Sequence, residues 1–303
     1  MTFNEGIIKI GKISSLWLRA IRVKFLLASV ISVSNGIAIG YWKTGEVDFI
    51  YALLTYSGII CLHISVDLLN DYSDFSRGID ANTNRTKYSG GTGVIPENLI
   101  NPRLIYLVGI IFLILGGIIG LYFVTIKGIV ILILLIFAIV SIYFYSTNIV
   151  NSGLGELFVA IKGCMIVLGS YYIQSDTVDF MSVYMGILIG LLSSIVLLVT
   201  SFPDYEADKK SGRRTLVILF GKQNSVKVFI LIIIATYGMM AGGIIFNVLP
   251  ILSVIGFASI PFAIRAMNRL RRYDDSSQLV SSMANSIIYS RMSGILLAIS
   301  FIL

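Results

Sequence analysis

The chain has 303 residues, of which 56% are hydrophobic and 13% charged, and it carries a net charge of +7. So apolar a composition excludes an ordinary soluble domain, and basic residues that flank apolar runs are a membrane-orientation signal rather than a nucleic-acid footprint. Two cysteines, Cys61 and Cys164, both in apolar runs, read as small buried hydrophobes rather than as a disulfide or a metal site.

Taken from the N-terminus, residues 5–20 read as an interfacial amphipathic helix leading into the first span. Lys9, Lys12, Arg19, Arg22 and Lys24 flank it, and the pattern of a cleavable signal is missing. Apolar runs long enough to cross a bilayer then follow. Nine spans are predicted, near 22–42, 49–66, 103–124, 128–147, 154–174, 181–201, 226–246, 248–267 and 283–303. The fold class is therefore all-α: one polytopic membrane domain over 1–303, with helices around a central cavity. Of the 23 Lys and Arg, 19 fall in the N-terminal arm and in the loops 67–103, 203–227 and 265–282, which all lie on one side of such a topology. The positive-inside rule makes that side, with the N-terminus, cytoplasmic.

Two windows on that side concentrate acid. DLLNDYSDFSRGID (67–80) and FPDYEADKKSGRRT (202–215) hold seven of the 16 carboxylates. Ionisable groups at the ends of apolar helices are costly and mark functional sites. Asn70 and Asp74 are four apart, as are Asp204 and Asp208, so each pair shares one helix face. Such a face repels itself unless a divalent cation or a basic partner joins it, and hard oxygen donors suit Mg²⁺ together with phosphate oxygens. The bland alternative is a solvated acidic cap paired with Arg77, Lys209 and Lys210. The windows are also alike: NDYSDFSRG and PDYEADKKSG each end a predicted span and precede an Arg-Thr pair. Two related halves, about 20–150 and 151–303, would set the acidic helix ends across a cavity.

Other signals are weaker. His63, the only histidine, lies one turn before Asp67 and reads as a packing residue. Glu156 and Lys162 share one predicted helix and must line a cavity or find partners, because lipid exposure is costly. The SGGTG stretch (89–93) suits a phosphate cradle or a flexible cap equally.

These motifs resemble the UbiA superfamily of intramembrane prenyltransferases. Asn70, Asp74 and Asp80 match its first motif, and Asp204 and Asp208 match its second. Within it, NDYSDFSRGID, SGGTGVIPENLI, GLGELFVAIKG, VLGSYYIQ and DYEADKKSGRRTL are similar to the 1,4-dihydroxy-2-naphthoate prenyltransferases of menaquinone synthesis. The likeness runs from Arg22 to about Gly221. Departures are Arg22-Val23-Lys24 in place of Arg-Pro-Lys, Ser201-Phe202-Pro203 where Asn and Arg are common, and Lys162 at an apolar position.

The resemblance implies Mg²⁺ held by Asn70, Asp74, Asp204 and Asp208, with Asp71 and Asp80 as further members. It implies a prenyl diphosphate donor and a lipophilic aromatic acceptor, with no nucleic acid. Arg22, Lys24, Arg77, Arg85, Lys87, Lys209 and Arg214 are the cations for the diphosphate. Tyr72, Tyr143, Tyr145, Tyr171 and Tyr172 are candidates to face an allylic cation, and Lys162 is expected to line the cavity. The prenyl chain is expected in an apolar tunnel beside Gly36, Gly40, Gly153 and Gly163. Two alternatives remain open: transfer to another acceptor, such as a glycerol-phosphate ether lipid or a tetrapyrrole, and a cation transporter.

Overall fold

A computed structural model describes residues 14–79, 85–144 and 153–303. Asp80, Tyr145 and residues 5–13 of the predicted interfacial helix lie outside the described residues; 14–20 are helical. The described residues form helices and no strand: α1 Val23–Thr44, α2 Phe49–Ser76, α3 Pro102–Lys127, α4 Ile129–Phe144, α5 Gly155–Ser175, α6 Phe180–Thr200, the short α7 Tyr205–Lys210, α8 Leu216–Ile245, a 3-10 segment Ile251–Ser259, α9 Ile260–Leu270 and α10 Ser276–Ser300. Seven of the helical segments are long and apolar enough to cross a membrane, Ile251–Leu270 counted as one. At 16 residues α4 is shorter, about 24 Å at 1.5 Å per residue.

Each predicted span has a helical counterpart, but four differ in extent; the ninth starts at Ser276, seven residues before the expected 283, and is not among the seven apolar enough to cross a membrane. The second span was expected to end near 66, yet α2 continues through Ser76. Nothing in DLLNDYSDFS breaks a helix, and the chain turns only at Gly78, with φ 70°. The acids of the first motif therefore ride on a helix of 28 residues, about 42 Å long. The seventh element starts ten residues before the expected 226, at Leu216, and is broken at Gly221 (φ 73°, ψ 159°). The eighth divides at Ser259 into a 3-10 segment and α9.

Helix ends are set by local chemistry. Asp48 Oδ1 accepts from the Tyr51 amide at 2.9 Å, and Asp275 Oδ1 from the Ser277 amide at 2.8 Å, each relieving an orphan donor of the first turn. Asn101 caps α3 just before Pro102, whose missing N–H is harmless at that position. α5 packs along α6, α2 along α3, and α1 along α5, while α10 lies against α9, α1 and α6. The α5–α6 contact is backbone to backbone: a Cβ on Gly190 would run into the Ala160 carbonyl. Small residues permit such approach where lipid supplies no hydrophobic drive between helices.

The serine-rich α10 is accommodated by burial rather than by apolarity. Ser282 donates to the Ala266 carbonyl at 2.8 Å, Ser293 to Ser259 at 2.8 Å, and Ser300 pairs with Ser253 at 2.9 Å, all buried. Asn35 of α1 reaches across to the Gly294 carbonyl at 2.9 Å. Around these bonds the main core packs Tyr171, Met185, Phe202, Phe229, Tyr289 and Phe301. A central space is left between α1, α2, α4, α5, α6 and α10.

Candidate active site

The last turns of α2 face this space. Asn70 Nδ2 donates to Asp74 Oδ2 at 3.1 Å, the bond its i, i+4 spacing allows. From the second motif, Asp204 sits at the start of α7. The Asp208 amide bonds the Asp204 carbonyl at 2.8 Å, so both carboxylates stand on one turn. The two motifs meet on one side chain, Arg213. Its Nη2 pairs with Asp74 and its Nη1 lies 3.4 Å from Asp208 Oδ1. The turn makes this possible. Gly212 adopts φ 76°, and the Arg213 amide reaches back to the Asp208 carbonyl at 2.9 Å, folding the arginine over the acids.

Burial shapes the second motif's electrostatics. Desolvation, and then the neighbouring Asp208, push Asp204 up to about 7, against the pull of Arg213 and the Gly90 amide. Desolvation likewise raises Asp208, opposed by Arg213 and Arg77. The Asp204 Oδ1 atom is buried and has no hydrogen-bond partner among the described residues. An orphaned carboxylate oxygen beside Asn70, Asp74 and Asp208 is a donor set that fits a hard divalent cation. As the side chains stand, Arg213 neutralises Asp74 and Asp208, and no three described His, Cys, Asp or Glu are assembled as a metal cluster.

The cavity enclosed here measures about 300 Å³ and is lined by Asn70, Asp74, Asp204, Asp208, Arg22, Arg213, Arg291, Asp67, Glu156 and Lys162, among others. Ser29, His63, Val66, Ser141, Ile142, Lys162 and Ile166 also line a second, almost wholly apolar channel of about 140 Å³. It runs between α2, α3, α4 and α5 to Leu54, Phe123 and Ile173.

The remaining expectations divide. Asp71 points away from the cavity, accepting bonds from Arg22 and the Thr92 hydroxyl. Arg22 lines the cavity from a left-handed backbone (φ 47°), so its pairing with Asp71 joins the start of α1 to the end of α2. Of the SGGTG stretch, Ser89, Gly90 and Gly91 line the cavity. Thr92 is tied to Asp71 and its carbonyl to Arg19 Nε at 2.7 Å, which anchors this loop rather than leaving it a loose cap.

Arg85 is turned aside, its Nη1 2.8 Å from Glu97 Oε1, which Arg19 also holds. Lys87 and Lys209 lie over the rings of Tyr88 and Tyr205, 5.6 and 5.7 Å from the centroids. These three, with the exposed Lys24, Arg77 and Arg214, do not line the cavity. Basic character near the motifs did not discriminate; the turn at Gly212 selects Arg213 over Arg214.

The aromatic expectations need correction. Tyr143 is 54% exposed, touches Phe144 and lines neither space. Tyr72 packs on Tyr106, with ring centroids 4.9 Å apart. Tyr171 and Tyr172 bond Asp179 and the Lys127 carbonyl, at the opposite end of the bundle from the acids. Among the described residues, Phe25, Tyr88 and Phe158 supply the aromatic side chains of the polar cavity instead. Neither Gly36 nor Gly40 lines the channel. A Cβ on Gly36 would stand 2.5 Å from the Val167 carbonyl, so it serves the α1–α5 contact. Gly153 packs on Leu219, and Gly163 lines the polar cavity.

Residues 29–288 match the UbiA prenyltransferase family. The chain belongs to this family. It is an enzyme that transfers prenyl groups, and membership sets aside the cation-transporter alternative. The 1,4-dihydroxy-2-naphthoate octaprenyltransferase of Bacillus subtilis is 25% identical over 292 residues, 95% of this chain and 92% of that protein. The 2-carboxy-1,4-naphthoquinone phytyltransferase of Synechocystis is 26% identical over 276 residues, 88% and 86% of the two chains. A UbiA homologue from Archaeoglobus fulgidus, solved with DMAPP and Mg²⁺, superposes with a TM-score of 0.66 at 17% identity, covering 93% of this chain and 99% of that one. The UbiA fold and a membrane-embedded architecture are thus shared.

Proposed function

We propose that this enzyme transfers a prenyl group from a prenyl diphosphate, with Mg²⁺, to an aromatic acceptor of the dihydroxynaphthoate class. The observation that carries the reading is the meeting of both acidic motifs on Arg213, above a polar cavity that continues into an apolar channel. The names of the Bacillus and Synechocystis relatives support the acceptor class, and the ligands of the Archaeoglobus homologue support the donor and the metal. The basic residues of the 67–103, 203–227 and 265–282 loops support a cell-membrane protein with its acidic end toward the cytoplasm.

Asn70, Asp74, Asp204 and Asp208 would hold Mg²⁺, which neutralises charge on the departing diphosphate. Arg22, Arg213 and Arg291 line the same cavity and bring guanidinium groups suited to phosphate oxygens. Phe25, Tyr88 and Phe158 offer ring faces to the positive charge that develops on the allylic carbon. The channel takes the hydrocarbon, which gains roughly 0.8 kcal/mol for each CH₂ removed from water.

The test is incubation of purified protein with labelled geranylgeranyl diphosphate, Mg²⁺ and a panel of acceptors: 1,4-dihydroxy-2-naphthoate, 4-hydroxybenzoate and a prenylated glycerol phosphate. Prenylated naphthalene product, lost on chelation, is expected. Product from the glycerol phosphate alone would overturn the aromatic assignment.

A further inference from the structure

Among the described residues, four cationic side chains line the polar cavity: Arg22, Lys162, Arg213 and Arg291. Three are engaged. Arg22 pairs with Asp71, Arg213 with Asp74 and Asp208, and Arg291 donates to the Lys24 carbonyl. Lys162 has no hydrogen bond and no carboxylate within 4.0 Å among the described residues. An ammonium group set into an apolar span without a partner is costly, and such residues persist where a ligand completes them.

Position identifies which part of the substrate that ligand is. Lys162 lies on α5 seven residues from Gly155 at its acid-facing end, about 10 Å down the helix. Asp67 lies seven residues before Asp74 on α2, at a similar depth. By helix rise both backbones stand about two turns beneath the acids, and Asp67 is the carboxylate that acts on Lys162. Lys162 is also common to the polar cavity and the apolar channel, so it marks their junction. The donor's reacting carbon follows directly on the diphosphate, and an acceptor ring must come to this level to reach it.

The local neighbours do not use up the charge. His63 Nδ1 is 2.6 Å from the Ser29 hydroxyl, and His63 Nε2 is 3.7 Å from Asp67 Oδ2. Asp67 Oδ2 itself has no hydrogen-bond partner among the described residues. Asp67 acts on Lys162 electrostatically but does not contact it.

We propose that Lys162 is the acceptor-recognition residue, its ammonium pairing with a carboxylate on the aromatic ring at the junction of cavity and channel. The proposal rests on the aromatic-acceptor reading above and deepens it. Specificity of this kind is strong because a buried group built for one polar partner is left unpaired by an analogue lacking it.

The experiment compares acceptors that differ only in the carboxylate: 1,4-dihydroxy-2-naphthoate against 1,4-naphthoquinol, and 4-hydroxybenzoate against phenol. Binding is measured by calorimetry in detergent with a non-hydrolysable thiolo-diphosphate donor present, alongside donor affinity itself. The wild type should prefer the carboxylated member of at least one pair by about tenfold or more. In Lys162→Met that preference should fall below about threefold with donor affinity unchanged, and Lys162→Arg should restore part of it.

The proposal would be overturned by a preference unaltered in Lys162→Met, by no preference in the wild type, or by equal loss of donor affinity, which would assign Lys162 to the diphosphate. A variant that binds neither substrate is resolved with Asp67→Asn/Lys162→Met. If the double variant regains stability together with the carboxylate preference, Lys162 serves only to balance Asp67. Preference in the benzoate pair alone would keep this inference and overturn the naphthoate assignment, so the two readings fail separately.

Discussion

Arg213 joins two acidic motifs that lie more than 130 residues apart in sequence, and its removal should have two effects. Asp74 and Asp208, both buried, would lose their shared counter-ion. Breaking a buried pair by deleting one partner costs about 3–5 kcal/mol. Arg213→Ala should therefore lower the melting temperature in chelator, and Mg²⁺ should recover more of it than it adds to the wild type. Equal Mg²⁺ responses in the two proteins would show that Arg213 and the cation do not share those carboxylates. Asp74→Ala and Asp208→Ala should each cut turnover by at least about a hundredfold, in the range of a lost electrostatic stabiliser. The exposed Asp274 provides the contrast: Asp274→Ala should leave the rate within about twofold. Similar losses at all three positions would point to general destabilisation.

Helices place these residues at fixed depths. From Asn70 at the acids to Leu54 at the channel's far end, α2 rises 16 residues, about 24 Å. Ala138 of α4 lines the channel between these limits. Ala138→Phe should shift preference toward shorter prenyl donors while changing diphosphate affinity by less than about twofold. A C10-to-C30 donor series under competition reads this directly, and an unchanged length preference would place the chain outside the channel. The end of α2 was legible only in part. The span ends near 66 on hydropathy, but helix geometry carries on through Ser76, because hydropathy reports the solvent and not the backbone.

At the scale of the whole molecule, the proposed Mg²⁺ would couple to stability. A ligand that binds only the folded protein stabilises it by about 2.7 kcal/mol at a hundred times its Kd. Mg²⁺ with a non-hydrolysable prenyl diphosphate should raise the melting temperature, and chelator should abolish both that rise and turnover while leaving helical circular dichroism unchanged. Full activity in excess chelator would remove the metal from the mechanism. Topology is open to a separate measurement. A single added cysteine at Asn247 should label from outside the cell, and one at Asp274 only after permeabilisation.

The sequence alone determined what depends on composition and short spacing. Membrane embedding, helical class and the Asn70–Asp74 and Asp204–Asp208 pairs follow from hydropathy and the 3.6-residue repeat, and the motifs pointed to the family. It did not separate Arg213 from Arg214, or the cavity-lining Tyr88 from the exposed Tyr143. Neighbours in sequence, or residues of one type, carry the same chemistry, and their direction depends on a turn such as Gly212 or on which helix packs behind them. That Asp71 serves Arg22 and Thr92 instead of the cavity, and that Lys162 has no hydrogen-bond or carboxylate partner among the described residues at the head of the apolar channel, are likewise products of packing. Local patterns set which groups the chain offers; long-range contacts between helices decide which of them face one another.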